Sequence, residues 1–172
     1  MNHSTIACTL TKGIRISVAV VMLAGLLAVT RPVQAAEIIV TNTFSLREAI
    51  TQANGTPGDD TITFHNETNG IPIVLSGAAG DDANVSGDLD ILDNGNLTIQ
   101  GNGASLTIID GDGNDRVFHT CPNGGCTNTV TITGVAIRNG SVTDNAYGDR
   151  GGGGIENNGT LIDQSSNIGV SG

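Results

Sequence analysis

Residues 97–100, Leu97-Thr98-Ile99-Gln100, and residues 130–133, Val130-Thr131-Ile132-Thr133, place an apolar side chain at every second position. That is the pattern of a strand buried on one face. Outward from these two segments, short apolar runs recur over 61–64, 71–75, 89–92, 106–109, 117–119, 135–138 and 160–163, with clusters of Asn, Asp and Gly between them. The spacing predicts an all-β chain. Seven Asn-Gly steps, at Asn54, Asn69, Asn94, Asn102, Asn123, Asn139 and Asn158, would by themselves suggest type I′ hairpins and an antiparallel sandwich. The runs are short for a sandwich, however, and the glycine run 151–154 is longer than a hairpin needs. A solenoid explains both features better. Each coil would contribute three short strands, aliphatic residues would stack along the axis, and Asn or Gly would take the corners.

Composition narrows the alternatives. The 172 residues allow one ordinary domain. Aromatic residues are only 2%, namely Phe44, Phe64, Phe118 and Tyr147, so the core must be aliphatic. With 25 Gly and 14% charged residues the chain does not suit a helical bundle. Its 4 Pro and aperiodic glycines exclude collagen.

Residues 1–36 read as a secretory signal peptide. Lys12 and Arg15 precede an apolar run over 16–29, and Val33-Gln34-Ala35-Ala36 offers the small residues that a signal peptidase reads, with cleavage expected at Ala35 or Ala36. The run is shorter than the roughly 18 to 20 residues that span a bilayer. Nothing later is apolar enough to do so, and no transmembrane helix is expected after cleavage. Loss of 1–36 would remove Lys12, Arg15 and Arg31 and no acidic residue, leaving 4 Arg against 17 acidic side chains, a formal charge of −13. Such a surface repels nucleic acid and anionic lipid. Cys8 would leave with the leader. The remaining pair, Cys121 and Cys126, encloses Pro-Asn-Gly-Gly and is expected as a disulfide worth roughly 2 kcal/mol. Two thiols without further partners do not make a zinc site.

After a short strand over 37–40, Ser45 opens the one convincing helix, over 45–53. Ser45 and Glu48 have the spacing of a capping box worth about 1 kcal/mol. Leu46, Ala49, Ile50 and Ala53 form a single apolar stripe, and Asn54-Gly55 and Pro57 stop the helix. Residues 37–60 are therefore read as an N-terminal cap that plugs the open end of coils running over 61–172.

Phe44-Ser45-Leu46-Arg47-Glu48-Ala49-Ile50 resembles the CSLREA motif of exported bacterial proteins. The segments DDTITF, GDLDI, LTIQGNG, TIIDG, DRVFH, VTITGVAIRNG and GGGGIENNGTL follow in the order of that family and cover nearly all of the chain after the leader. The resemblance implies a right-handed parallel β-helix similar to pectin-lyase-like and polymorphic outer-membrane-protein repeats. Phe44 stands where the family has Cys, so a disulfide from that position is absent. The fold hosts lyases, hydrolases, adhesins and passive stalks, so it does not fix the chemistry. The chain stops at Ile168-Gly169-Val170-Ser171-Gly172 inside what reads as another repeat, so a truncated product is expected, with end-to-end self-association as the alternative.

Asp110, Asp112, Asn114 and Asp115 form the densest group of hard oxygen ligands and are the calcium candidates. They do not make an EF-hand, because Asp115 takes the place of the obligatory Gly and Cys121 that of the bidentate Glu. The alternative is an Asx-rich turn. Asp81, Asp82, Asn84, Asp88, Asp90 and Asp93 form a second acidic stretch, read as a solvated loop. Asp59 with Asp60, or Asp88 with Asp90, could supply a carboxylate pair for a glycosidase, and Arg47, Arg116, Arg138 and Arg150 are the only bases for a lyase. Arg47 lies on the capping helix and Arg116 and Arg138 in the repeat motifs, so structural contacts explain these three better, and no catalytic residue is assigned. His65 and His119 have no partner at ligand spacing, and Ser165-Ser166 lacks a nucleophile elbow. Beyond the leader, six Asn-x-Ser/Thr sequons begin at Asn54, Asn66, Asn84, Asn96, Asn139 and Asn158 and matter only where exported proteins are glycosylated. The expected protein is an extracellular or cell-surface module, in association with an outer membrane where there is one. Its role would be structural or adhesive, with a glycan or surface protein as partner, calcium as the only expected cofactor, no nucleic acid and no catalysis of its own. The alternative is the N-terminal part of a polysaccharide lyase or hydrolase.

Overall fold

The computed structural model describes residues 34–92, 95–142 and 153–169. Nearly all of the expected leader, and also Asp93 and Arg150, lie outside these residues. Strand β1 (Glu37–Val40) is followed by helix α1 (Leu46–Gly55), β2 (Asp60–Phe64), a 3-10 turn (Asn66–Thr68), β3 (Ile73–Val74), β4 (Leu89–Ile91), β5 (Leu97–Gln100), β6 (Ile108–Asp110), β7 (Phe118–Thr120), β8 (Thr129–Thr133), β9 (Ala136–Arg138), β10 (Ile155–Asn157), β11 (Thr160–Gln164) and β12 (Asn167–Ile168). The described chain is strand-rich with one α-helix.

The strands form three sheets, ordered β1-β2-β5-β8-β11, β3-β6-β9-β12 and β4-β7-β10, and every pairing is parallel. From β2 onward consecutive strands enter different sheets in a fixed rotation. The Asn-Gly steps among the described residues therefore turn the chain between sheets and close no hairpin, which removes the antiparallel sandwich. Parallel neighbours need a crossover; α1 makes the one from β1 to β2, and from β2 onward each crossover passes through the other two sheets.

Register aligns like with like. Ile38, Ile62, Ile99 and Ile132 form one column, Ile73, Ile109, Ile137 and Ile168 a second, and Leu89, Phe118 and Ile155 a third. Apart from the exposed Ile168, the columns meet in one aliphatic core, with Phe118 as its largest fully buried side chain. Helix α1 buries Leu46, Ala49, Ile50 and Ala53 and packs on β1, β2 and β4. Its capping box is formed at both ends of the exchange. Ser45 Oγ accepts from the Glu48 N–H, and Glu48 Oε2 accepts from the Ser45 N–H at 2.7 Å.

Strands β10 and β12 were not expected from the sequence. Ile-Glu-Asn and Asn-Ile are too short to show a period, and they become strands because β7 and β9 offer matching edges. The runs at 71–75, 106–109 and 117–119 are placed slightly differently as Ile73–Val74, Ile108–Asp110 and Phe118–Thr120.

Candidate functional site

The third sheet carries a polar column on the face opposite its core side chains. In Leu89-Asp90-Ile91, Phe118-His119-Thr120 and Ile155-Glu156-Asn157 the middle residues align, so Asp90, His119 and Glu156 stack across β4, β7 and β10. All three are buried, Asp90 completely. The segment 77–88, between β3 and β4, lies over Asp90 and His119.

That segment is held by a local network. Asp81 accepts from the backbone of Ala83, Val85 and Ser86 and from the Ser86 hydroxyl. Burial alone would raise the Asp81 carboxyl, but these donors outweigh it and hold the group below its ordinary value. Asn84 takes a left-handed backbone with φ 58° and gives its N–H to Asp90 Oδ2 at 2.8 Å. Arg47 reaches across from α1 to the carbonyls of Gly87 and Asp88, both at 2.5 Å, so the helix cap and the site share one anchor.

Charge accumulates beneath this cover. Asp88 is pushed up to about 7, first by burial and then by the charges of Asp90 and Asp115, against the pull of Arg116. Asp90 is raised to about 6, chiefly by burial, although the Asn84 N–H acts in the other direction. Arg116 pairs with Asp88 at 3.4 Å, with Asp115 at 3.9 Å and with Glu156. His119 Nδ1 lies 3.4 Å from Asp82 Oδ1 and 3.6 Å from Asp90 Oδ1, while Nε2 lies 3.8 Å from Glu156 Oε1. Among the described residues, Asp82, Asp90 and His119 are the one group of three or more His, Cys, Asp or Glu placed to share a metal ion, with ligand atoms within 4.8 Å of one another.

The calcium candidates do not gather in this way. Asp110 accepts from the Asp112 N–H, from Arg138 Nε at 2.9 Å and from Asn139 Nδ2 at 3.0 Å. Asn114 turns to the Gly77 carbonyl, and Asp115 accepts from the N–H groups of Gly80 and Arg116. These contacts belong to corner and cover, as an Asx-rich turn would have them. Asp59 accepts from the Asn96 N–H at the surface, whereas Asp60 is buried and accepts from the Ala36 N–H and Thr56 hydroxyl, both at 2.8 Å. The two carboxylates thus serve different strands' needs. Cys121 and Cys126 are disulfide-bonded and close the turn after β7.

Sequence reasoning missed the assembly around His119. Asp90 and Asp82 stand 29 and 37 residues before it, distances that mean nothing until parallel register makes them neighbours. One signal was present. An ionisable residue directly follows an apolar one in Leu89-Asp90, Phe118-His119 and Ile155-Glu156. Among the described residues no helix is long and apolar enough to cross a membrane. No family model, curated protein or solved structure matches the chain.

Proposed function

We propose that this chain is an exported structural or adhesive module, built as a right-handed parallel β-helix whose N-terminal end is closed by α1. The rotating order of the strands through three parallel sheets carries this reading. Each visit to all three sheets would be one coil, and the isoleucine columns would run along its axis. The CSLREA-like segment at the helix and the apolar leader pattern support export.

A module of this kind acts through its faces. The sheet β3-β6-β9-β12 carries a shallow groove of about 380 Å³ lined by Ala104, Ile108, Ala136, Arg138 and Asn167. Its mixture of small apolar residues with amide and guanidinium groups suits a glycan chain or the surface of a neighbouring protein, and the excess of acidic residues disfavours nucleic acid.

The test is a fractionation followed by a binding assay. The chain should be recovered outside the cytoplasm with a mass lacking the leader. Purified, it should bind immobilised glycans or surface proteins saturably, and Ile108→Asp should abolish that binding without changing the circular-dichroism spectrum. Retention of the full-length chain in the cytoplasm would defeat the export reading. Release of unsaturated oligouronides from pectate would replace the module with the lyase alternative.

A further inference from the structure

We propose that Asp82, Asp90 and His119 bind a single divalent ion of the zinc class. The inference goes beyond the module reading and stands on the register of β4 with β7, so either can fail alone. Register sets Asp90 beside His119. The Asn84 N–H takes Asp90 Oδ2 and thereby turns Oδ1 toward the imidazole. That Oδ1 is wholly buried and accepts no hydrogen bond. A buried carboxylate oxygen left this way is costly unless something positive occupies the space before it.

Distances favour an ion there. Asp82 Oδ1 and Asp90 Oδ1 stand 3.4 and 3.6 Å from His119 Nδ1, close to the ~3.4 Å between ligands of a tetrahedral ion with bonds of about 2.0–2.1 Å. An imidazole nitrogen in the set selects the zinc class over calcium, which prefers oxygen alone. Asp82 is on the segment 77–88 and its side chain is 60% exposed, so the ion would tie that segment to the sheet from the solvent side. Three protein ligands leave one position for water or a partner's donor atom. With Nδ1 committed to the ion, the ring proton sits on Nε2. There the Glu156 carboxylate, with Oε1 3.8 Å away, is the acceptor placed to orient the ring.

The experiment uses the untagged full chain, stripped with a chelator and titrated with Zn²⁺ against a chromophoric competitor, with Ca²⁺ titrated in parallel. One equivalent of zinc should bind, millimolar calcium should not displace it, and Co²⁺ in its place should give the visible absorption of a tetrahedral site. Asp82→Asn, whose exposed side chain leaves folding intact, should weaken zinc at least about tenfold. His119→Gln should weaken it further and abolish the cobalt spectrum, while the exposed Asp163→Asn should change neither. Three results would overturn the proposal: no stoichiometric zinc, zinc bound equally by wild type and both site variants, or preferential binding of calcium.

Discussion

Asp60 and Asp110 show how single carboxylates are used in this fold. Asp60 stands in the column of Leu97 and Val130, an apolar place, and is tolerated there because the Ala36 N–H and the Thr56 hydroxyl both donate to it. Asp60→Ala should cost about 1–3 kcal/mol in chemical denaturation, since it strands a backbone donor at the start of the core. Asp110 obeys a different balance. Burial alone would favour its neutral acid, yet the Asp112 N–H, Asn139 and Arg138 hold its carboxyl below the ordinary 3.8. Its folded pKa lies under its unfolded one, so the stabilisation it gives is present above the unfolded value and lost as pH falls through the folded one. Thermal melts should therefore find Asp110→Asn less stable than wild type at pH 7, with the gap closing as both are acidified below about pH 4.

At the scale of elements, α1 is stabilised at its start by the capping box and along its length by burial of one stripe. Ser45→Ala should lower stability by about 1 kcal/mol. Arg47, beside that stripe, holds the carbonyls of Gly87 and Asp88 just before β4. Arg47→Met should leave α1 in place but raise amide exchange across 78–88, read by hydrogen–deuterium exchange mass spectrometry. Corners impose backbone limits as well. Gly95 has φ 132°, and a Cβ there would collide with the Gly58 carbonyl. Gly95→Ala should destabilise by about 2 kcal/mol or more, because strained backbone and steric overlap add.

For the whole molecule, the parallel register itself is open to a covalent test. Thr98 and Thr131 face each other on the outward side of β5 and β8. Neighbouring strands lie ~4.8 Å apart, within the Cα range of a disulfide. In a Thr98→Cys, Thr131→Cys double variant a new bridge should form on mild oxidation, visible as a linked 98–131 peptide pair in mass spectrometry. A linkage between 98 and the native cysteines instead would contradict the register. The same register assembles the site at His119, which no single element contains.

Much of this was legible in the amino-acid order because it depends on near neighbours. Alternation in 97–100 and 130–133 marks half-buried strands, and Ser45 with Glu48 marks a helix start, whatever surrounds them. The sequence also showed that the core must be aliphatic and that Cys121 and Cys126 were close enough to pair. Strands β10 and β12, the burial of Asp60 and the meeting of Asp82, Asp90 and His119 were decided only by tertiary structure. Each depends on which residue of one strand lies beside which residue of another some thirty positions away. That offset is the sum of every corner and loop between them, and a change of one residue in register would turn Asp90 to the opposite face and dissolve the site.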